Sequence, residues 1–302
     1  MSLPQMNQPD PPGPDPVPPA GVGPRPNAQT FELTPRRIQA YAASIHDRNP
    51  VYFDDARPDG LIGHPGLAFS FQWNSRHMPD AQVNARSARF GVHAWTDLRL
   101  QRPFREGDVI TSQGETVGVE QIKPGVLSVG RYRMTDSRGK LVAELDYAGI
   151  TRGAVTDGDD RPAPALSPLP QPTANGDAPL WQREISIDAD AAQVYTECAD
   201  IYNPIHTERR VALAAGLPDI ILHGSATQAI AMSALIDESL GGDPSRVLRF
   251  YTQNRAMVLL NTTITVRCRS KLPTADGAHA LFFDVLTASG DRALANGVLI
   301  AS

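Results

Sequence analysis

The sequence predicts an α+β protein made of two copies of one unit, and three observations support this prediction. A run of helix, loop, helix and β-rich meander occupies residues 30–153, and the same order returns in residues 181–302. Between them lies a stretch rich in Pro, Gly, Asp and Ala, residues 154–180, which is typical of an interdomain linker. A repeat of this length indicates duplication, so we expect the two copies to pack as an internal pseudo-dimer.

The first segment of the chain, residues 1–29, is crowded with Pro, Gly, Asp and Asn and has almost no aromatic or β-branched residues. Such a segment cannot bury enough apolar surface to offset the entropy that is lost on ordering. We therefore predict a polyproline-like, mobile tail.

The helices of the first copy are predicted from a cap and from apolar spacing. Thr34–Pro35 is typical of an N-cap followed by a first helical residue, and the helix should end at His46–Pro50. Apolar residues recur at helical spacing between these points: Ile38, Tyr41, Ala42 and Ile45. A second apolar run, Leu67–Trp73, predicts another helix that continues towards Met78.

Alternating, β-rich runs separated by turn signals follow in the first copy and predict an antiparallel meander. The predicted strands are Trp95–Leu100, Val109–Ser112, Val126–Met134 and Leu141–Tyr147. The second copy repeats the order, with predicted helices at Asp188–Cys198 and Ser225–Leu240. Its predicted strands are Val247–Gln253, Thr262–Arg269, His279–Thr287 and Ala293–Ile300.

Composition excludes several classes of function. The 302 residues have a formal net charge of −5 and no basic run, which argues against a nucleic-acid partner. No stretch approaches the roughly 20 continuous apolar residues of a membrane span, and the N-terminus lacks the pattern of a signal peptide. The two cysteines, Cys198 and Cys268, are far apart in sequence and fit a reducing compartment. We therefore expect a cytoplasmic protein with no membrane partner.

One loop of the second copy concentrates groups that can do chemistry. Asp200, Asn203 and His206 place an acid, an amide and an imidazole on one turn, which Pro204 stiffens by fixing its own φ and restricting the residue before it. A second imidazole follows in His223–Gly224, which opens a helix rich in Ala and Ser. This constellation is the predicted catalytic site.

The order Asp, Asn-Pro-Ile-His and then Ile-x-His-Gly resembles the MaoC-like, or hydratase 2, family of (R)-specific enoyl-thioester hydratases and dehydratases. The resemblance covers about 30–153 and 181–302, and it implies two hot-dog units, in each of which an antiparallel sheet wraps around a central helix. Tyr52 stands where the catalytic His of the family would fall in the first copy. The resemblance therefore implies that the second copy is catalytic and that the first copy shapes the acyl pocket, with Asp47, Asn49 and His64 as architectural remnants.

The resemblance also implies a role for each residue of the site. Asp200 and His206 would position one water, the backbone N–H of Gly224 would bind the thioester oxygen, and Asn203 would support the loop. His223, Ser225 and Pro204 are the expected substrate-binding residues. One departure affects Asp200, because two residues, Ile201 and Tyr202, separate it from Asn203 where the family has one.

The addition of water to an enoyl thioester needs a base for the water, an acid for the α-carbon and a hydrogen-bond donor for an enolate-like oxygen. We expect the reaction to need no cofactor or metal. The spacings of Asp200, His206, His223 and Cys198 match no familiar metal-ligand pattern. The expected partner is an acyl-CoA or acyl-carrier-protein thioester, with a homodimer of double hot-dog chains as a further expectation. Two alternatives stay open: a hot-dog acyl-CoA thioesterase, and a non-catalytic subunit that binds acyl thioesters.

Overall fold

The computed structural model describes residues 13–17, 23–24, 28–76, 90–172 and 178–302, and it has the predicted α+β architecture of two similar units. The α-helices are α1 (Pro35–Ser44), α2 (Leu67–Asn74), α3 (Ala191–Ala199), α4 (Arg209–Ala214) and α5 (Gly224–Leu240). Short 3-10 turns occupy Pro50–Tyr52, Pro204–His206 and Pro244–Arg246. No helix in the described ranges is both long and apolar enough to cross a membrane.

The strands confirm two antiparallel meanders. The first copy contains β1 (Gly23–Pro24), β2 (Gln29–Glu32), β3 (Ile62–Gly63), β4 (Gly91–Leu100), β5 (Phe104–Arg105), β6 (Val109–Ile122), β7 (Gly125–Thr135) and β8 (Leu141–Arg152). The second copy contains β9 (Trp181–Ile187), β10 (Val247–Asn254), β11 (Thr262–Pro273), β12 (His279–Leu286) and β13 (Arg292–Ala301). Strand β9 and helix α4 were not predicted from the sequence. The predicted continuation of α2 towards Met78 lies partly outside the described residues, and α2 itself ends at Asn74.

One 11-stranded antiparallel sheet runs through both copies, in the order β1-β6-β7-β8-β4-β10-β13-β12-β11-β9, and β2 also pairs with β6. The copies meet where β4 pairs with β10. Thr96 lies opposite Thr252 in this ladder. On either side of this pair, Trp95 lies opposite Gln253 and Asp97 lies opposite Tyr251. The junction is therefore close to a pseudo-twofold axis, and the pseudo-dimer is held by main-chain hydrogen bonds.

The helices lie against the concave side of this sheet and form one apolar core with it. Thr34 caps α1 by accepting a hydrogen bond from the N–H of Arg37 (3.3 Å), and Pro35 follows at the first helical position. In α5 every residue from Ala226 to Ile236 is buried, which explains why the helix is rich in Ala, Ser and Ile and has no polar face. The central position of α5 fixes its N-terminus at the boundary between the copies.

Helices α1 and α3 also meet at the pseudo-twofold axis. The hydroxyl oxygens of Tyr41 and Tyr195 are 3.3 Å apart, and both side chains are fully buried. Each tyrosine packs against the histidine of its own copy, with ring centroids 5.6 Å apart for Tyr41 and His64 and 5.1 Å for Tyr195 and His223. The two loops that follow α1 and α3 are therefore held in equivalent positions.

The linker and the described parts of the N-terminal segment lie on the outside of the sheet. Ser167 and Pro168 accept hydrogen bonds from Arg249, which also forms a bidentate ion pair with Asp97 across the β4–β10 junction. Val17 exchanges main-chain hydrogen bonds with Val155 and Asp157. Strand β1 likewise pairs with the outer edge of β6. These parts of residues 1–29 contact the folded chain, whereas the sequence predicted a mobile tail; the other tail residues up to Asn27 lie outside the described ranges.

Candidate active site

A cavity of about 1180 Å³ lies between the two copies beside the N-terminus of α5. The second copy contributes the loop after α3 and the start of α5, and the first copy contributes the end of α2 and strands β4, β7 and β8. The first-copy side chains in the wall include seven large apolar or aromatic ones: Phe69, Trp73, Leu127, Val129, Tyr132, Leu145 and Tyr147. Such a cavity fits an elongated, mainly apolar ligand with a polar end at α5.

His206 is the last residue of the 3-10 turn after α3, and its ring lines this cavity. The Nδ1 atom lies 2.8 Å from the carbonyl oxygen of Ile221. A carbonyl only accepts, so Nδ1 carries the proton and Nε2 has the free lone pair. Burial lowers the pKa of His206 to about 4. The imidazole is therefore neutral near pH 7, with a basic nitrogen available.

His223 packs against His206, with stacked rings whose centroids are 3.8 Å apart. It is almost fully buried, and its Nε2 lies 3.1 Å from the carbonyl oxygen of Ile201 and 3.2 Å from the hydroxyl of Thr196. Burial, and then the neighbouring His206, lowers the pKa of His223 well below its usual value. The ring thus donates to Ile201 and pins the loop, and it also forms part of the cavity wall.

Gly224 and Ser225 form the first turn of α5, and both line the cavity. His223, the N-cap residue, gives this turn no side-chain hydrogen bond. The main-chain N–H groups at the start of a helix have no partner within the helix, and they carry the positive end of its dipole. A β-carbon at residue 224 would lie 3.2 Å from Oδ1 of Asn254 and 3.3 Å from Nδ1 of His93, so the close packing here favours glycine.

The remaining predicted residues divide into two groups. Asn203 lines the cavity and caps the 3-10 turn, with Oδ1 accepting from the N–H of Ile205 (3.4 Å). Ser225 also lines the cavity. Pro204 begins the 3-10 turn and is not among the residues that line the cavity.

The structure does not bring Asp200 to His206. Asp200 adopts a left-handed conformation (φ 57°) at the C-cap of α3, is exposed, and is not among the cavity-lining residues. In the first copy His46 has the same conformation (φ 55°) after α1, so His46 and Asp200 are the equivalent positions. Asp is one of the few side chains that tolerate this conformation, which accounts for its place at the cap.

The position after the cap shows that the two loops have the same length, whereas the sequence suggested an extra residue between Asp200 and Asn203. The N–H of Asp47 donates to the carbonyl of Ala42, and the N–H of Ile201 donates in the same way to Thr196, each at 3.0 Å. Asn49 and Asn203 then cap equivalent 3-10 turns. No residue is therefore inserted in the second loop, and Ile201, which is buried, stands where the first copy has Asp47.

Two residues that sequence reasoning missed flank the start of α5 from the central strands. His93, on β4 of the first copy, lines the cavity and its Nε2 lies 2.7 Å from the hydroxyl of Thr96. Its ring stacks on Tyr147 (centroids 4.2 Å apart), and burial lowers its pKa to about 3. Asn254, on β10, also lines the cavity and receives a hydrogen bond from Gln228. Neither residue belongs to a motif, so only the pairing of the strands could reveal them.

The equivalent region of the first copy is closed. Tyr52, the counterpart of His206, is fully buried against His64. His64 accepts the N–H of Gly66 at Nδ1 (2.9 Å) and therefore donates from Nε2 to Ser233 (3.1 Å). The imidazole thus accepts the hydrogen bond from the N–H at the start of α2, and this N–H is not available to a ligand.

The buried acid of the first copy, Asp47, has one partnered and one unpartnered oxygen within the described residues. Oδ1 of Asp47 accepts the N–H of Asn49 (2.9 Å), and Oδ2 has no hydrogen-bond partner in the described part of the chain. Across the described ranges, no group of three or more His, Cys, Asp and Glu side chains could hold a metal ion.

Two family models match separate parts of the chain. A model described as a MaoC like domain matches residues 171–272. A model described as a FAS1-like dehydratase domain region matches residues 20–145. Each copy is therefore similar to a dehydratase domain.

Named relatives are similar over parts of their length. The peroxisomal multifunctional enzyme type 2 of Drosophila melanogaster is 23% identical over 230 residues, 71% of this chain and 37% of the relative. The probable enoyl-CoA hydratase 2 of Dictyostelium discoideum is 25% identical over 195 residues, 65% of this chain and 64% of the relative. A 94-residue part, 30% of this chain, is 32% identical to the fatty acid synthase beta subunit pkiC of Emericella nidulans, of which it covers 5%. The chain thus spans less than two thirds of each of these relatives.

Solved structures share the whole architecture. A MaoC-like dehydratase from Phytophthora capsici matches with a TM-score of 0.77 and 19% identity, over 93% of this chain and 96% of that chain. A Mycobacterium tuberculosis protein described as having a double hot-dog fold matches with a TM-score of 0.61 and 19% identity, over 93% and 95% of the two chains. At this identity the likeness concerns the fold, and it confirms the predicted pair of hot-dog units.

Proposed function

Because its two copies match a MaoC like domain and a FAS1-like dehydratase domain region, and because the chain has the double hot-dog fold, we propose that it is a member of the MaoC-like family and a hydro-lyase acting on acyl thioesters. The reaction adds water reversibly to a trans-2-enoyl thioester and gives the (R)-3-hydroxyacyl thioester. One observation supports this proposal most strongly: a neutral imidazole with a free Nε2, that of His206, faces the same cavity as the first-turn N–H groups of α5.

In the proposed hydration, Nε2 of His206 accepts a proton from water while the water oxygen bonds to C3 of the enoyl group. The electron pair of the C2=C3 bond moves towards the thioester carbonyl and gives an enolate-like oxygen. The proton held by His206 then passes to C2, which restores the carbonyl and the neutral imidazole. General acid–base catalysis of this kind contributes about 10²–10⁴ in rate.

The start of α5 supplies the complementary charge. We assign the N–H of Gly224 as the donor to the thioester oxygen, where the positive end of the helix dipole stabilises the developing negative charge. Ser225 and His223 border the same point, and Asn203 holds the loop that carries His206. His93, whose Nδ1 adjoins Gly224, is the polar group that the first copy contributes beside the carbonyl.

The proposed mechanism differs from the sequence-based expectation in the role of the acid. Asp200 is exposed and Ile201 occupies the equivalent of Asp47, so no carboxylate from this loop faces His206. Both proton transfers are therefore assigned to His206, with Asp200 acting as the helix cap.

The apolar wall of the first copy supports an acyl group as the ligand, and we propose CoA or an acyl carrier protein as the thiol component. The names of the Drosophila and Dictyostelium relatives, a peroxisomal multifunctional enzyme and an enoyl-CoA hydratase, are consistent with this substrate class. We also propose a reducing, cytoplasmic location, which the free thiols of Cys198 and Cys268 support. The homodimer stays a prediction, to be checked by light scattering after gel filtration.

The test is an assay of two reactions on the same crotonyl-CoA sample. Hydration removes the ultraviolet absorbance of the conjugated enoyl thioester, and chiral analysis of the product should give the (R) isomer. Thioester hydrolysis instead releases free thiol, which a thiol reagent detects. Loss of absorbance without thiol supports the hydro-lyase. Thiol release would replace it with a thioesterase, and binding of acyl-CoA without either reaction, on short and long enoyl chains, would indicate a non-catalytic subunit.

A further inference from the structure

The first-copy wall of the cavity contains a cation among aromatic rings. The guanidinium carbon of Arg76, just after α2, lies 4.7 Å from the ring centroid of Trp73 and 5.4 Å from that of Tyr147. All three residues line the cavity, and Arg76 is half-buried. Within the described ranges no carboxylate forms an ion pair with it. A guanidinium in this position keeps its planar fork of donors available for an anion.

A second donor lies one helical turn earlier on the same wall. Gln72 is 4% exposed, lines the cavity, and its amide nitrogen has no hydrogen-bond partner in the described part of the chain. A buried donor without an acceptor is costly, so the amide of Gln72, next to the half-buried guanidinium of Arg76, favours a ligand that brings acceptor oxygens.

The acceptor oxygens could belong to the phosphates of CoA or to a carboxylate on the acyl group, and the other charged residues of the cavity distinguish the two. The other arginines of the cavity, Arg152 and Arg255, are exposed, and Asp291 is the one carboxylate among the lining residues. Exposed arginines suit the phosphates of CoA, which stay in contact with water. Arg76 lies inside, between aromatic rings, where a carboxylate on the acyl group would be placed.

The position of Arg76 also limits the length of the acyl group. Nδ1 of His93 lies 3.3 Å from the β-carbon position of Gly224, the His93 ring stacks on Tyr147 at 4.2 Å, and Tyr147 contacts Arg76. Two aromatic side chains thus separate the guanidinium from the proposed carbonyl site, which corresponds to a short chain.

We propose that Gln72 and Arg76 form an anion site that holds the distal carboxylate of a short dicarboxylic acyl thioester. This inference rests on the proposed function for the orientation of the thioester, and it specifies the substrate class. The fork of Arg76 would form a bidentate pair with the carboxylate, and the amide of Gln72 would donate a further hydrogen bond.

The test measures binding of saturated acyl-CoA pairs by calorimetry, so that no turnover is needed. The pairs match in chain length: succinyl with butanoyl, glutaryl with pentanoyl, and adipyl with hexanoyl. At least one diacid should bind about 10- to 100-fold more tightly than its partner, as charge-assisted hydrogen bonds allow. Arg76→Gln should abolish this preference, Gln72→Leu should reduce it, and the matched control Arg255→Gln should retain it. No preference in any pair would overturn the proposal.

The same acyl groups on N-acetylcysteamine, which has no phosphate, separate the two anions. A diacid preference that persists on this carrier supports the acyl carboxylate. If Arg76→Gln weakens both acyl classes equally on CoA and neither on N-acetylcysteamine, the site binds phosphate and the proposal is wrong. Diacid preference without any hydration would reject the proposed function alone, whereas hydration of crotonyl-CoA without diacid preference would reject this inference alone.

Discussion

The loops after α1 and α3 have the same backbone path and opposite chemistry. The first copy has a buried carboxylate, Asp47, and a tyrosine, Tyr52, at the position of the imidazole. The second copy has the imidazole, His206, and an isoleucine, Ile201, at the position of the carboxylate. Neither loop therefore contains both the carboxylate and the imidazole, and of the two loops it is the second that lines the cavity.

The helix that follows each loop sharpens this contrast. At α2 the N–H of Gly66 is already bound by the ring of His64, whereas at α5 the ring of His223 turns to the carbonyl of Ile201 and leaves Gly224 accessible from the cavity. An imidazole next to a helix N-terminus thus closes one site and supports the other.

The largest effect is expected from exchanging the imidazole of the second copy. His206→Gln removes the proposed base and should lower kcat for crotonyl-CoA hydration by about 10²–10⁴. The control at the equivalent position is Tyr52→Phe, which removes a hydroxyl that has no partner in the described chain and should retain at least half of the activity. A comparable loss in both variants would mean that the two loops are not functionally distinct. Thermal melts of both variants show whether the fold is retained.

An intermediate effect is expected at the start of α5. Gly224→Ala places a methyl group against Asn254 and His93, and the resulting shift of the donor N–H should lower kcat/KM by roughly 10- to 100-fold. Adding Asn254→Ala to this variant makes room and should recover part of the loss. If Gly224→Ala is fully active, the thioester oxygen does not bind at this N–H.

A smaller effect concerns stability as a function of pH. Burial lowers the pKa of His64 and His93 to about 3 and that of His206 to about 4, whereas an unfolded histidine titrates near 6.5. The unfolded chain therefore binds more protons between these values, and the free energy of unfolding should fall as the pH drops from about 6.5 towards 4. Each such histidine adds a slope of up to about 1.4 kcal/mol per pH unit. Urea unfolding at several pH values measures how steeply the free energy of unfolding changes with pH in the wild type and in His206→Gln. The slope should be smaller in the variant, and equal slopes would mean that His206 titrates normally.

The smallest effect is expected at the helix cap. Asp200→Asn keeps a side chain that tolerates the left-handed conformation, and the residue is exposed, so kcat should change by less than about threefold. The same crotonyl-CoA assay measures this. A loss of about 100-fold would return Asp200 to the catalytic site and contradict the equivalence of Asp200 with His46.

Sequence reasoning predicted the elements with strong local signals. The capped helix α1 and the strands of both meanders lie where they were expected, because α1 buries one face and the strands are β-rich runs bounded by turn signals. Strand β9 was missed because it is an edge strand with mostly exposed side chains, and α4 because its six residues are too short for a periodic pattern. The motif pointed to His206 and Gly224, which both line the cavity, and their roles stay predictions. It did not show that Asp200 would be exposed, because spacing alone does not reveal which residue takes the left-handed position after α3.

The rest of the site depends on contacts between distant segments. His93 and Arg76 reach the cavity only because β4 pairs with β10 and because α2 ends beside the β4–β8 ladder. Neither residue is marked by a local pattern. Their place in the cavity follows from the pairing of distant strands, which local sequence patterns do not predict.

The linker between the copies has a genetic consequence. In a symmetric dimer of identical subunits, any substitution appears in both sites at once, so a replacement that disables one also disables the other. Residues 154–172 instead run from the first meander to Arg249 at the junction, joining the copies in a single polypeptide. Tyr52 and Ile201 could therefore arise independently, each altering a single loop, and the covalent connection permits the specialisation that we propose, in which one copy holds the ligand and the other transforms it.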